Sequence, residues 1–243
     1  MPAHFSCERM KTMIKAVFLD IDDTLLDFDA YVRQSMKAGF EKFQLGAYDE
    51  NVYQIFKKIN TQVWHELEQG KLSYEELLKT RWNRVFSAMN IDYDGVIFEK
   101  YFKDCLFDSA IPVSGAMDLL QYLKGRYLLC AASNGPYDQQ VNRLKIGGML
   151  PFFSHLFISG QIGHAKPSKE FFDHCLHVVN ADRAEKILPS EILMIGDSMT
   201  SDMAGALDSG IKTCYFDKNR KGNPLCLPID HIVSSLAELH NIL

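Results

Sequence analysis

Short apolar runs alternate with longer helical patterns along this chain. Six runs have the length of buried strands, at residues 16–19, 127–132, 155–158, 191–195, 213–216 and 231–233. Continuous apolar runs separated by helical segments are typical of parallel strands that are covered on both faces. The pattern therefore predicts an α/β fold, with a doubly wound, Rossmann-like parallel sheet.

Residues 27–110 show helical spacing of apolar positions and no strand run. Ser73 and Glu76 have the spacing of a capping box at the start of one of these helices. We therefore predict an all-helical cap domain inserted after the first strand. This divides the chain into a core of residues 13–26 and 111–243, a cap of residues 27–110, and an N-terminal extension of residues 1–12.

Capping and helix-breaking residues predict where three core helices begin or end. Ser114 is expected to cap a helix that ends at Gly125, and Pro167 to be the first residue of another. Gly210 is expected to end the segment that begins near Ser198. These positions leave polar residues in the loops between the strands and the helices.

Charge and composition limit the classes of partner. The 243 residues include 26 Lys+Arg and 31 Asp+Glu, a net charge of −5, and no basic run stands out. Polymeric nucleic acid and anionic membrane surfaces are therefore not expected partners. No signal-peptide or membrane-spanning pattern is visible, and the six cysteines form no C-x-x-C pair. We expect a cytoplasmic protein, either monomer or homodimer, whose partner is a small molecule.

Polar residues follow the predicted strands where these end. They are Asp20 and Asp22 after the first strand, Ser133 and Asn134 after the second, Lys166 in the loop beyond the third, and Asp197 and Asp202 after the fourth. The carboxyl ends of parallel strands meet at one edge of a sheet, so these side chains are expected to share a cleft. Crowded carboxylates need a cation between them, and oxygen ligands suit Mg²⁺.

The spacing of the acidic residues favours phosphoryl transfer. Asp20 and Asp22 are two positions apart, so on an extended segment they lie about 6–7 Å apart on the same side. Asp20 would attack phosphorus as the nucleophile, and Asp22 would handle the proton of the leaving oxygen. Asp197 would complete the metal site, and Asp202 would orient Lys166 or a metal-bound water.

The remaining residues would bind the phosphoryl group. The Ser133 hydroxyl and the N–H groups of the following helix form a seat for phosphate oxygens, and Lys166 would neutralise the transferring charge. Each element alone has an ordinary structural explanation: an acidic turn, an N-cap serine, a surface lysine, or an acidic residue at a helix start. An EF-hand is excluded because Leu25 stands where that loop needs glycine. Their joint occurrence after successive strands favours a functional site.

The pattern resembles the four motifs of the haloacid dehalogenase (HAD) superfamily of phosphohydrolases. The motif residues are Asp20-x-Asp22-x-Thr24, Ser133, Lys166 and Gly196-Asp197-x₄-Asp202. The match spans residues 15–216, and the helical insert resembles that family's C1-type cap. The stretches DIDDTLLDF, SNGPYDQQ and AKPSKEFF are similar to the bacterial pyrimidine 5′-nucleotidase group within the superfamily.

The resemblance implies a Mg²⁺-dependent phosphomonoesterase that forms an aspartyl-phosphate and acts on nucleoside 5′-monophosphates. It assigns the residues as follows: Asp20 as nucleophile and metal ligand, Asp22 as acid/base and backbone metal ligand, Asp197 as metal ligand supported by Asp202, and Ser133 and Lys166 as phosphoryl ligands beside Asn134. Asp202 and Lys166 thereby join the catalytic group.

Three alternatives stay open at this stage. The substrate is either a nucleotide or another small phosphomonoester, such as phosphoglycolate or a sugar phosphate. A haloacid dehalogenase would use the same aspartate on carbon, but it needs neither Mg²⁺ nor a second acid, so Asp22 and Asp197 weigh against it. A noncatalytic binding scaffold, including a phosphoreceiver domain, has no need of a paired acid and nucleophile.

Overall fold

The computed structural model describes residues 13–243, so the predicted extension of residues 1–12 lies outside the described residues. Six parallel strands form one sheet in the order β3-β2-β1-β4-β5-β6. The strands are β1 (Ala16–Leu19), β2 (Leu128–Ser133), β3 (His155–Ile158), β4 (Ile192–Gly196), β5 (Lys212–Phe216) and β6 (His231–Val233). The predicted doubly wound sheet is confirmed. The strand order reverses beside β1, where such sheets bind ligands.

The α-helices lie between these strands. Their bounds are α1 (Phe28–Lys42), α2 (Glu50–Glu68), α3 (Tyr74–Ala88), α4 (Gly95–Phe107), α5 (Ala116–Leu123), α6 (Tyr137–Ile146), α7 (Ser159–Ile162), α8 (Lys169–Asn180) and α9 (Ala204–Asp208). A π-helical turn, Met199–Met203, leads directly into α9. Within residues 13–243, no helix has the length and apolar character needed to cross a membrane.

Alternate residues of each strand enter different hydrophobic clusters on the two faces of the sheet. In β1, Val17 and Leu19 pack with the apolar residues of α5, whereas Phe18 packs with those of α8. This follows from the two-residue period of a strand. Both faces of the sheet are therefore covered by helices, as a parallel sheet requires. The polar residues at the carboxyl ends of the central strands face a cleft.

Helices α1 to α4 follow β1 and precede β2, and we call them the helical insert. They share a hydrophobic cluster of their own, which includes Phe56, Trp82 and Phe98. The capping box of Ser73 and Glu76 at the start of α3 is present as predicted. The insert therefore has an internal core rather than depending on the sheet for burial.

Two of the predicted helix starts are displaced, by one residue in α5 and by two residues in α8. Helix α5 begins at Ala116 after Gly115, which has φ +83° and provides no side-chain cap, so Ser114 is not the capping residue. Helix α8 begins at Lys169, and its capping side chain is Ser168, which accepts a hydrogen bond from the N–H of Phe171. Pro167 thus precedes the helix. Gly210, at φ +70°, follows α9 where the predicted segment ends.

Candidate active site

A cavity of about 330 Å³ lies between the carboxyl ends of the strands and the helical insert. All seven residues singled out from the sequence line it: Asp20, Asp22, Ser133, Asn134, Lys166, Asp197 and Asp202. The side chains of the insert that line the cavity are Phe28, Asn60, Thr61, Trp64, His65 and Glu68. The cavity thus combines a charged floor from the sheet with a wall from the insert.

Lys166 is the central cation of this floor. Its Nζ donates hydrogen bonds to Asp20 Oδ1 at 2.7 Å, Asp202 Oδ1 at 2.6 Å and the carbonyl of Ala132 at 2.6 Å. The residue is only 2% exposed. Burial alone would lower the pKa of this ammonium group, but the two carboxylates outweigh burial and raise it. The lysine therefore stays charged and can neutralise an anionic group in the cavity.

Three carboxylates form a cluster that fits a divalent cation. Asp20, Asp197 and Asp202 each place one oxygen within 4.8 Å of the others. Burial raises the pKa of Asp20 to about 7, with Lys166 opposing and Asp202 adding to the effect. Burial followed by the charges of Asp23 and Asp20 raises the pKa of Asp197 well above its usual range. Such carboxylates ionise readily only beside a cation, and their hard oxygens suit Mg²⁺.

Gly196 allows Asp202 to approach this cluster. A Cβ atom at position 196 would overlap the Asp202 carboxylate. Asp202 Oδ2 also accepts a hydrogen bond from the N–H of Ser198 at 3.1 Å, which fixes its orientation. The glycine before Asp197 is therefore required by packing of the site itself.

Asp22 lies in the same cavity but outside the three-carboxylate cluster. Its Oδ1 accepts a hydrogen bond from Arg143 Nη1 at 2.7 Å, and its Oδ2 accepts one from Gln140 Nε2 at 2.8 Å. Neither partner was predicted from the sequence. The available signal was their three-residue spacing on α6, which begins just after the predicted phosphate-binding segment.

Ser133 is the last residue of β2, and Asn134 follows it directly. Ser133 Oγ accepts a hydrogen bond from Gln140 Nε2 at 2.8 Å, which leaves the hydroxyl proton available to a ligand. The side chain of Asn134 pairs with the main chain of Lys166 through its Nδ2 and Oδ1, at 2.9 and 2.8 Å. Asn134 thus holds the loop that carries the lysine, and its contact with substrate stays a prediction.

Two further charged residues, one lining this cavity and one lining a smaller cavity beside it, were not predicted from the sequence. Glu68 reaches the site from α2, and its Oε2 lies 3.5 Å from Thr200 Oγ1. Burial, assisted by the charge of Asp202, raises the pKa of Glu68 to about 7. Lys218 follows β5 and lines the smaller cavity, where its Nζ lies 2.6 Å from Asp23 Oδ1. Neither residue belongs to a local motif, because each is brought to the site only by the packing of distant elements.

Comparisons with known proteins agree with this architecture. The model of the haloacid dehalogenase-like hydrolase family matches residues 14–210. The pyrimidine 5′-nucleotidase PynA of Streptococcus pneumoniae is 34% identical over 211 residues, which are 86% of each chain. The HAD-hydrolase YfnB of Bacillus subtilis is 30% identical over 230 residues, covering 94% of this chain and 95% of YfnB.

The fold is also shared with a solved structure. The crystal structure of YfnB bound to magnesium matches with a TM-score of 0.85 and 29% identity, covering 95% of this chain and 99% of that one. The family match extends from just before β1 to the end of α9, and so includes all seven site residues predicted from the sequence. The chain therefore belongs to the haloacid dehalogenase-like hydrolase family.

Proposed function

We propose that this protein is a Mg²⁺-dependent phosphomonoesterase that hydrolyses nucleoside 5′-monophosphates, with pyrimidine nucleotides as its preferred substrates. The observation that carries the proposal is the meeting of Asp20, Asp197, Asp202 and Lys166 at one point of the cavity floor. A nucleophilic carboxylate, a cation-binding cluster and a fixed ammonium group are the parts that phosphoryl transfer requires. PynA, a pyrimidine 5′-nucleotidase, and the magnesium-bound YfnB structure support the finer assignment.

In this proposal, Asp20 forms a bond to phosphorus while the bond from phosphorus to the nucleoside oxygen breaks. Asp22 donates a proton to that leaving oxygen and then accepts one from the water that hydrolyses the aspartyl-phosphate. Ser133 and Lys166 hold the phosphoryl oxygens. Asp20, Asp197 and the main-chain carbonyl of Asp22 would hold Mg²⁺, which supplies further positive charge when bound.

Residues 27–110 act as the cap in this proposal, and residues 13–26 with 111–243 as the catalytic core. Trp64 and Asn134 line both the 330 Å³ cavity and a neighbouring cavity of about 550 Å³, which Tyr74 and Tyr137 also line. The aromatic surface beside the phosphoryl site suits a planar base, since the face of a base stacks favourably on an aromatic ring. The leaving nucleoside is therefore assigned to the space against Trp64.

A panel of phosphomonoesters tests the substrate. With Mg²⁺, we expect kcat/KM for UMP, dUMP and dTMP to exceed that for AMP and phosphoglycolate by at least about tenfold. In Trp64→Ala, the loss should be confined to the nucleotides, while hydrolysis of p-nitrophenyl phosphate stays within about threefold of wild type. Preference for phosphoglycolate or a sugar phosphate would replace the nucleotide assignment, and activity on 2-chloropropionate in EDTA would favour a dehalogenase.

Mg²⁺ should stabilise the protein more at about pH 7.5 than at about pH 5.5. Folding raises the pKa of Asp20 to about 7 and raises that of Asp197. A carboxyl group whose pKa is raised by folding contributes fully to stability below its pKa in the unfolded state. This contribution is lost as the pH rises through its pKa in the folded state. The metal needs both groups ionised, so its own contribution grows over the same interval.

The measurement is the change in Tm on adding MgCl₂ at the two pH values. Asp197→Asn is the matched variant, and it should show a smaller shift at both. A shift that is equal at both pH values, or larger at the lower one, would contradict the assignment of these carboxylates to the metal.

A further inference from the structure

We infer that Gln140 and Arg143 are positioning residues for Asp22, which hold its carboxylate against the leaving oxygen of the substrate. The inference rests on the proposed phosphomonoesterase function, but not on which phosphomonoester is the substrate. It concerns one face of α6, beneath the edge of the cavity where Asp22 lies.

Arg143 is a buried cation whose hydrogen bonds join three parts of the chain. The residue is 1% exposed. Its Nη1 donates to Asp22 Oδ1 at 2.7 Å and to Gln140 Oε1 at 2.8 Å. Its Nε donates to the carbonyl of Ser109 at 3.1 Å, in the segment that returns from the helical insert to the core. The position of Asp22 is thereby tied to the segment through which the insert is attached.

Gln140 connects Asp22 to the phosphate side of the site. Its Nε2 donates to Asp22 Oδ2 and to Ser133 Oγ, both at 2.8 Å. The same amide accepts from Arg143 through Oε1, so both ends of the side chain are engaged. A fully bonded, buried amide has one orientation, and it therefore fixes the distance between the acid/base and the phosphoryl ligand.

The placement serves geometry more than stability. A buried ion pair adds little to stability compared with apolar residues of the same size. The Asp22 side chain keeps 31% of its surface exposed, on the cavity side, while its two oxygens are held from below. To transfer a proton, the acid must lie within hydrogen-bond distance of the leaving oxygen. A displacement of the acid by about 1 Å lowers the rate about 10²-fold. Hydrogen bonds to Asp22 from two residues of one helix, α6, meet that requirement.

The test compares two aryl phosphates that differ in their need for a general acid. The phenolate released from phenyl phosphate is the poorer leaving group, and p-nitrophenolate departs with little help. In Arg143→Met, we expect kcat/KM for phenyl phosphate to fall at least about thirtyfold and that for p-nitrophenyl phosphate less than about threefold. Gln140→Met keeps the buried guanidinium paired with Asp22. It should change the ratio of kcat/KM for phenyl phosphate to that for p-nitrophenyl phosphate in the same direction, but by less.

Two controls separate positioning from folding. Gln139→Met changes the neighbouring buried glutamine of the same helix and should leave the ratio of the two esters unchanged. In an Asp22→Asn background, Arg143→Met should have no further effect on the burst of p-nitrophenolate, because a residue that acts through Asp22 is silent without it.

Equal losses on both esters in Arg143→Met and Gln140→Met would overturn this inference but not the proposed function. A full Arg143→Met effect in the Asp22→Asn background would do the same. Wild-type protein that hydrolyses neither ester with Mg²⁺ would instead overturn the proposed function, and this inference with it. An Arg143→Met variant that does not fold leaves Gln140→Met to decide the comparison.

Discussion

Asp20→Asn is expected to lower kcat on any accepted phosphomonoester by at least about 10⁴-fold, on the scale seen when a catalytic nucleophile is removed. The amide keeps the shape of the side chain and its contact with Lys166 Nζ, which lies 2.7 Å from Oδ1 in the wild type. It cannot form the bond to phosphorus that the mechanism requires. Steady-state release of phosphate at saturating Mg²⁺ measures the loss.

The fold of Asp20→Asn should survive. Burial already raises the pKa of Asp20, so replacing the charged carboxyl group removes an unfavourable buried charge while Lys166 keeps Asp202 as a partner. Circular dichroism and Tm check this, and Asp173→Asn on the exposed face of α8 is the control. Turnover within tenfold of wild type would remove Asp20 as the nucleophile.

Lys166→Met is expected to have the second large effect, on both activity and stability. Loss of one preorganised charge that stabilises a transition state costs about 10²–10³-fold in kcat. The same change leaves Asp20 and Asp202 buried without their shared cation, which costs about 3–5 kcal/mol of unfolding free energy. Phosphate release and urea unfolding, each with and without Mg²⁺, measure the two effects.

Lys169→Met is the matched control for this lysine. It lies three positions away, its side chain is 70% exposed, and it pairs with Asp173 on the surface of α8. Exposed pairs contribute about 0–1 kcal/mol, so its stability and activity should hardly change. A loss below about threefold in kcat/KM for Lys166→Met would place this ammonium group outside the reaction.

The parallel sheet and its acidic edge could be predicted because their signals are local. One apolar run is followed by Asp20 and another by Asp197. Each run predicts a buried strand, and the polar residues after it predict where the strand ends. Parallel pairing then brings the two ends together, since β1 lies beside β4 in the sheet. The pairing of β1 with β4 and with β2 thus brings Asp20, Asp197 and Ser133 to one edge of the sheet.

The partners of the site residues could not be predicted, because they depend on packing between distant elements. Arg143 meets Asp22 across 121 positions and Lys218 meets Asp23 across 195. A basic residue on a helix has the same local pattern whether it faces solvent or a buried carboxylate. The start of α8 was misplaced for a related reason: Asn134 holds the main chain at Lys166, so the chain turns before the helix begins.

The most direct test of the account is a crystal structure of the protein grown with Mg²⁺ and beryllium trifluoride, a mimic of the phosphoryl group. We predict the beryllium bonded to a carboxylate oxygen of Asp20, with its fluorides near Ser133 and Lys166, and one Mg²⁺ held by Asp20 and Asp197. Beryllium on any other residue, or a metal ion that Asp20 and Asp197 do not share, would contradict it.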